Sequence, residues 1–221
     1  MVQDTLAERV FLILHDPFTG KPAVRASALK RAVTGAELAE LILEHRIGME
    51  NDRIVLADAR VQKTDYISSF VLTSIRGQKD VHSVPVWVAA LAERLFDLVA
   101  GRLTNAGIVH RTGGPGLLRR SAQRFAATDL LAAARPRLRL EHMLRTPQEL
   151  DVPSAACAAV LAAVGADRVL DVDGDRAAIR QVIAAARTSL PVDLRNLVTG
   201  LEVAHASAEL PPSLRLRTSD R

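Results

Sequence analysis

Between Gly20 and Asp58 the chain reads GKPAVRASALKRAVTGAELAELILEHRIGMENDRIVLAD, a basic turn, a mostly apolar helix and a short hairpin in succession. Leu29, Ala32, Val33, Ala36, Ala39 and Leu43 recur at helical spacing, while Leu38, Leu41 and Ile42 carry the apolar surface around most of the circumference. Only Lys30, Thr34, Glu37 and Glu44 remain as a strip for water. A helix with so little polar surface has to be enclosed by others, so the spacing predicts a central helix. Gly35, Ala36 and Ala39 are small enough to admit a neighbouring backbone. With 48% hydrophobic residues over 221 positions, the chain can supply the enclosing core. No Gly/Ser/Pro-rich linker divides its middle, so one domain is expected.

The charges of this helix run against its macrodipole. Lys30 and Arg31 occupy the first turn, where acids are favoured, and Glu40 and Glu44 lie near the end. Lys21, Arg25, Lys30 and Arg31 thus gather at one helix N-terminus, whose free N–H groups already favour an anion. The competing reading is a solvated basic rim, the common outcome for clustered charge. A net charge of +4 and a pI near 9.8 favour anionic partners, lipid headgroups or nucleic acid, without choosing between them. Aromatics at 3% argue against a single-strand binder that stacks bases, which leaves nucleic acid supported by the pI alone. Arginine greatly outnumbers lysine and alanine is abundant, as in GC-rich bacterial genomes.

The lone cysteine, Cys157, lies in PSAACAAVLAAVG, which reads as core packing and fits a cytosolic compartment without disulfides. No uninterrupted apolar stretch approaches the ~20 residues of a transmembrane helix. A membrane would be met from the side.

Along the chain, Thr5 with Glu8 reads as a capping box opening a helix through Val10, Phe11, Ile13 and Leu14, and Asp16, Pro17 and Gly20 close it with a turn. Ser27 is the expected N-cap of the central helix, which should stop near His45. Arg46–Met49 and Arg53–Leu56 flank Glu50, Asn51 and Asp52 as a strand-turn-strand signal. Ile67, Phe70, Val71 and Ile75 predict a helix ending at Gly77, and Ser83 with Pro85 opens a long one through Trp87, Leu91, Leu95, Leu98 and Leu103 to Gly107. Trp87 belongs to the apolar face and reads as a core anchor.

The segment GIVHRTGGPGLLRRSAQRF follows, and its Gly113, Gly114, Pro115 and Gly116 suggest a hairpin or flexible loop. Leu117 and Leu118 beside Arg111, Arg119, Arg120 and Arg124 describe an apolar tip in a basic collar. Helical patterns resume over 128–145, interrupted or kinked at Pro136, and over 153–164 with Gly165 as the stop. Asp171, Asp173 and Asp175 imitate a calcium loop, but the glycine is misplaced and position twelve is Val182, so Asp175 is expected instead to cap a helix through Ile179 and Ile183. A last helix is expected from Pro191 to about Ala206, with the remainder a disordered tail.

Motifs of catalysis do not emerge. His15, His45, His82, His110, His142 and His205 are scattered without zinc spacing, and there is no Gly-x-Ser-x-Gly elbow. The expectation is a non-enzyme with no metal and no cofactor.

The order of these pieces resembles the Golgi phosphoprotein 3 family, in its bacterial branch. The resemblance runs from Thr5 to His205 and rests on LAERVFLILHDPFTGKP, the AELAELILEHRI helix end with its hairpin, VPVWVAALA, RLTNAGIV, and the basic hairpin leaving through Arg124 and Phe125. It implies a mainly α fold: a single helical domain over 1–206, its central hydrophobic helix ringed by amphipathic helices, with one or two short β-hairpins and a tail over 207–221. It also implies a non-catalytic protein that docks on anionic membranes. Eukaryotic members read phosphatidylinositol 4-phosphate and retain glycosyltransferases by their cytosolic tails, and the hairpin is linked to membrane contact and self-association. The headgroup positions of the eukaryotic pattern, a tryptophan and an arginine, fall here on Arg25 and Thr34. Its two later arginines fall on Glu93 and Phe96, with Arg94 and Arg102 nearby.

The sequence therefore predicts a cytoplasmic protein, peripheral to the inner face of a membrane, that binds anionic, phosphoinositide-like headgroups. Arg25, Lys30, Arg31, Thr34 and Arg94 would form the headgroup site, and Arg111, Leu117, Leu118, Arg119, Arg120 and Arg124 the membrane or oligomer hairpin. At ~1 kcal/mol for each basic side chain near an anionic bilayer, the four hairpin arginines would supply roughly 4 kcal/mol before any leucine inserts. The alternative is an oligomeric, non-catalytic scaffold or adaptor for membrane-protein tails.

Overall fold

Thr5 opens the first helix with the reciprocal contacts of a capping box: the Glu8 N–H donates to Thr5 Oγ1 at 3.3 Å and the Thr5 N–H to Glu8 Oε2 at 2.9 Å. The computed structural model describes residues 4–57, 65–112, 123–170 and 176–209. Helix α1 spans Leu6–Ile13 and α2 spans Ala26–Leu43; β1 (Ile47–Glu50) and β2 (Arg53–Leu56) follow, then α3 (Tyr66–Arg76), β3 (His82–Ser83) and α4 (Val84–Asn105). The second half holds β4 (Val109–Thr112), β5 (Arg124–Ala127), α5 (Leu130–Arg145), α6 (Val152–Ala163), α7 (Arg176–Ser189) and α8 (Val192–Glu209). The mainly α single domain expected from the sequence is the fold observed.

Aspartates set three of the helix starts. Asp65, Asp129 and Asp151 accept hydrogen bonds from the backbone N–H groups of Ile67, Ala132 and Ser154, each satisfying a donor the helix leaves orphaned. Helix α5 runs through Pro136 without ending there. The first hairpin turns on Asn51 and Asp52, both at positive φ (48° and 61°), the pair a tight type I′ turn requires. Strand β3 adds to β2 as a third strand that the sequence did not announce, two residues being too short to show a period.

Helix α2 is the centre. Thirteen of its eighteen residues are buried, and α1, α4, α6 and α8 pack around it. Burying a large aliphatic side chain stabilises by ~1.5–3 kcal/mol, so Leu29, Val33, Leu38, Leu41 and Ile42 alone contribute on the order of 10 kcal/mol. This is a gross gain, set against the conformational entropy lost on folding. Gly35 admits Leu201 of α8, which lies 2.6 Å from where a Cβ would stand. The neighbour at this glycine is thus a side chain, not the backbone expected.

Three expectations are corrected. The N-cap position of α2 belongs to Arg25, which makes no side-chain capping bond, and Ser27 lies inside the first turn. Of the strip expected to meet water, Thr34 and Glu37 are buried. Helix α8 continues through Ser207 to Glu209, into the stretch expected to be a disordered tail. Asp171, Asp173 and Asp175, and the chain beyond Glu209, lie outside the described residues.

Glu37 is compatible with burial because it can shed its charge. Burial pushes its carboxyl up to about 8, opposed by a hydrogen bond donated by Ser68 Oγ at 2.8 Å and reinforced by Asp65 and Glu40. The folded state holds a proton that the unfolded chain releases above its ordinary value of 4.5, so stability declines as pH rises from about 4.5 to about 8. Glu37→Gln keeps the bond to Ser68 without the titration. Urea denaturation should show the variant matching the wild type near pH 4.5 and exceeding it at pH 8 by on the order of 2–4 kcal/mol.

Candidate functional site

The uncapped start of α2 opens into a groove of 360 Å³ between α4 and α8, within the ~300–1,000 Å³ usual for ligand sites. Ser27, Lys30 and Arg31 come from α2, an apolar wall of Pro85, Val88, Ala89 and Ala92 from α4, and Ala204, Ser207 and Ala208 from the last turns of α8. No acid stands in the first turn of α2 and no side chain caps it, so its free N–H groups keep their partial positive charge at this mouth.

Arg31 is the organising cation. It is only 8% exposed, and its Nε is buried without a partner. Its Nη2 lies 3.2 Å from His205 Nδ1 and 3.7 Å from Glu209 Oε1. A guanidinium only donates, so His205 Nδ1 accepts and its proton sits on Nε2. Burial, and then Arg31 itself, lower the His205 pKa and keep the ring neutral. Burial also works against the Arg31 charge, which Glu209 helps to hold. Glu209 reaches Arg25 as well, through Oε2 to Nη1. With side chains 78% and 37% exposed, that pair is worth at most ~1 kcal/mol and can be exchanged for a stronger anion.

Lys30 is held from α4: its ammonium pairs with Glu93 and lies 5.7 Å from the centre of the Phe96 ring. Arg25, Lys30 and Arg31 lie at this end of α2, and each carries an acidic partner. Thr34 does not join them. Its hydroxyl is buried and donates to the Lys30 carbonyl at 2.9 Å, one turn back on the same helix. Arg94 is exposed on α4 and does not line the groove. Arg102 belongs elsewhere too, bonded to Glu8, Asp65 and Thr5.

The second predicted region is a hairpin, β4 paired antiparallel with β5 so that Arg111 faces Phe125 and Thr112 faces Arg124. Arg111 and Arg124 are exposed at its described end; Leu117, Leu118, Arg119 and Arg120 lie outside the described residues. Phe125 is buried against Phe11, His15 and Phe96, with ring centres 5.3, 5.7 and 5.9 Å away. Burial lowers the His15 pKa to about 4, so this ring too is neutral. The turn after α1 fastens the hairpin: Phe125 N–H donates to the Gly20 carbonyl at 2.9 Å and Ala127 N–H to the Pro17 carbonyl at 2.8 Å. Beside this junction Phe18 is 75% and Leu131 71% exposed.

A family model described as Golgi phosphoprotein 3 (GPP34) matches residues 6–201. The chain belongs to the Golgi phosphoprotein 3 family. A search of the curated proteins finds no match. In this Golgi phosphoprotein 3 family member Glu93 and Phe96 both face Lys30.

Among the described residues, no three His, Cys, Asp or Glu side chains gather as metal ligands would. Cys157 is buried, and burial pushes its thiol up to about 12.

Sequence reasoning missed Glu209 and His205 as parts of the site. A signal existed: Leu197, Leu201, Ala204 and Ala208 recur at helical steps of four, three and four residues, which extends the helix past Ala206. The fastening turn is tested at Gly20, whose φ is 65° and whose added Cβ would lie 2.5 Å from the backbone of Phe125 and Ala126. Gly20→Ala should lower stability by about 1–3 kcal/mol. Hydrogen exchange should show the Phe125 and Ala127 amides losing protection before those of α2.

Proposed function

We propose that this chain is a non-catalytic peripheral membrane protein that docks on anionic phospholipid headgroups, seating a headgroup in the α2 groove and laying the β4–β5 hairpin on the bilayer. The observation that carries the reading is Arg31, a deeply buried guanidinium in the second turn of α2, with its Nε donor unpartnered beside an open groove. A permanent cation in that position favours an anion, and the helix N–H groups add to the attraction. Membership of the Golgi phosphoprotein 3 family supports the same reading. So do the exposed Arg111 and Arg124 and the apolar Phe18 and Leu131 near the hairpin base, because cations and apolar tips together suit an anionic interface. No helix among the described residues is long and apolar enough to cross a membrane, so contact is made from one face, which we take to be the cytoplasmic one. The activity in this reading is binding, with no cofactor.

Co-sedimentation with vesicles of phosphatidylcholine containing phosphatidylglycerol, cardiolipin or a phosphoinositide tests this. Binding should rise with anionic lipid and fall steeply with salt. Arg31→Gln, checked for an unchanged helical circular dichroism spectrum, should weaken it about tenfold, the scale of one lost charged hydrogen bond. Arg124→Glu should weaken it about threefold or more. Binding indifferent to salt and to both substitutions would refute the proposal.

A further inference from the structure

The cleft where α1, α5 and α6 meet holds more positive charge than its neighbours balance. Arg9 of α1 and Arg135 and Arg139 of α5 line it, and among the described residues Asp4 is its one acidic lining residue. Arg135 and Arg139 stand one turn apart on the same face of α5. Among the described residues the side chains of Arg9 and Arg135 form no ion pair. Arg139 does reach Asp151, but at 3.4 Å, beyond ordinary hydrogen-bond length, and with both side chains well exposed. Asp151 is not free to turn inward as a counter-ion, because its Oδ1 accepts the Ser154 N–H at 2.8 Å and caps α6. Glu40, which also acts on Arg9, is engaged by the Leu6 N–H. The buried floor is Leu140 and the thiol of Cys157, which burial keeps protonated, so it contributes no negative charge.

We infer that this cleft is a phosphate site, separate from the α2 groove, that takes the terminal phosphate of a soluble molecule or of a lipid. Its volume of 50 Å³ admits about four water-sized spheres at ~10–15 Å³ each, room for the oxygens of one phosphate and not for a bulky headgroup. Guanidinium suits that ligand because its planar fork offers paired N–H donors to phosphate oxygens. With Arg135 and Arg139 on α5 and Arg9 on α1, three forks converge on one tetrahedral group from two elements. A terminal phosphate brings about −1.5 to −2 charge and three acceptor oxygens, one for each arginine. A carboxylate brings a single charge and leaves one guanidinium unmatched. A phosphodiester also carries a single charge, and its second ester arm has no room in the cavity. The site lies apart from the groove, because Arg9 acts on Glu40, nine residues beyond Arg31 on α2 and about 14 Å further along the helix axis. It therefore does not rest on the headgroup reading of that groove.

The test titrates the full chain with inorganic phosphate, against chloride at matched ionic strength, and follows it by two-dimensional amide NMR. In wild type the Ser154 and Arg139 amides should shift and saturate, and Arg31→Gln should show the same shifts. Arg135→Gln combined with Arg139→Gln should weaken this binding about tenfold or more, the scale of one lost charged hydrogen bond. Arg53→Gln combined with Arg76→Gln makes the same change of net charge at exposed positions on β2 and α3 and should leave it within about twofold. Glycerol 3-phosphate should compete with inorganic phosphate at the cleft. Vesicles of phosphatidylcholine with phosphatidic acid distinguish the source: vesicle binding weakened more by the α5 pair than by the control pair assigns the phosphate to a lipid, and equal effects assign it to a soluble molecule. No saturable shift at Ser154, or one that survives the α5 pair, overturns the site. Shifts confined to Ser27 and Lys30 place phosphate in the α2 groove, and overturn the site while the headgroup reading stands.

Discussion

The enclosure of α2 is the constraint from which the other features follow. A helix buried on nearly every side has no polar face, so each polar residue within it needs its own solution. Thr34 returns its hydroxyl to the backbone one turn earlier, as small hydroxyl side chains inside helices commonly do. Glu37 keeps its proton. Arg31 can do neither and draws two acceptors from the end of α8. The groove is where this last solution meets the surface, with α4 supplying an apolar wall on one side and α8 the acidic closure on the other.

The same enclosure couples the groove to the hairpin. Helix α1 packs on α2, and the turn that follows it carries the two carbonyls that bind β5. Phe125 then enters the aromatic cluster with Phe96, whose ring also stands under Lys30. A single aromatic side chain thus touches both the hairpin anchor and a cation of the groove. In the membrane-docking reading we propose, a rigid connection of this kind lowers the entropy lost when groove and hairpin both engage.

The elements were legible where their signals are local. The capping box of α1, apolar periodicity and the Asn51–Asp52 turn each act over a few residues, and the sequence displays them directly. Phase was harder. A helix apolar around most of its circumference does not show which polar residues face outward, so Thr34 and Glu37 read as wet when they are buried. The cluster of Arg25, Lys30 and Arg31 was visible as charge running against the helix dipole, but its acidic partners were not. Glu209 lies 184 residues from Arg25, and no spacing rule connects them. The Pro211–Pro212 pair beyond α8 drew the expected helix end inward, although alanine spacing carried on to Ala208.

Buried acids and buried arginines place different demands on a fold, and α2 carries one of each in Glu37 and Arg31. Desolvation disfavours both charges. A carboxyl answers by taking up a proton, as Glu37 does with its pKa raised to about 8, and it then needs no counter-ion. An arginine stays charged in proteins, so its burial is tolerated only beside an anion or strong acceptors. At Arg31 those groups come from the last turns of α8 and not from a neighbouring position on α2. The partner is thereby separable from the cation: displacing Glu209 exposes a deficit of negative charge without disturbing the core beneath it. In the headgroup reading we propose, an acid held only through one exposed pair and one 3.7 Å contact is one that a stronger anion can replace.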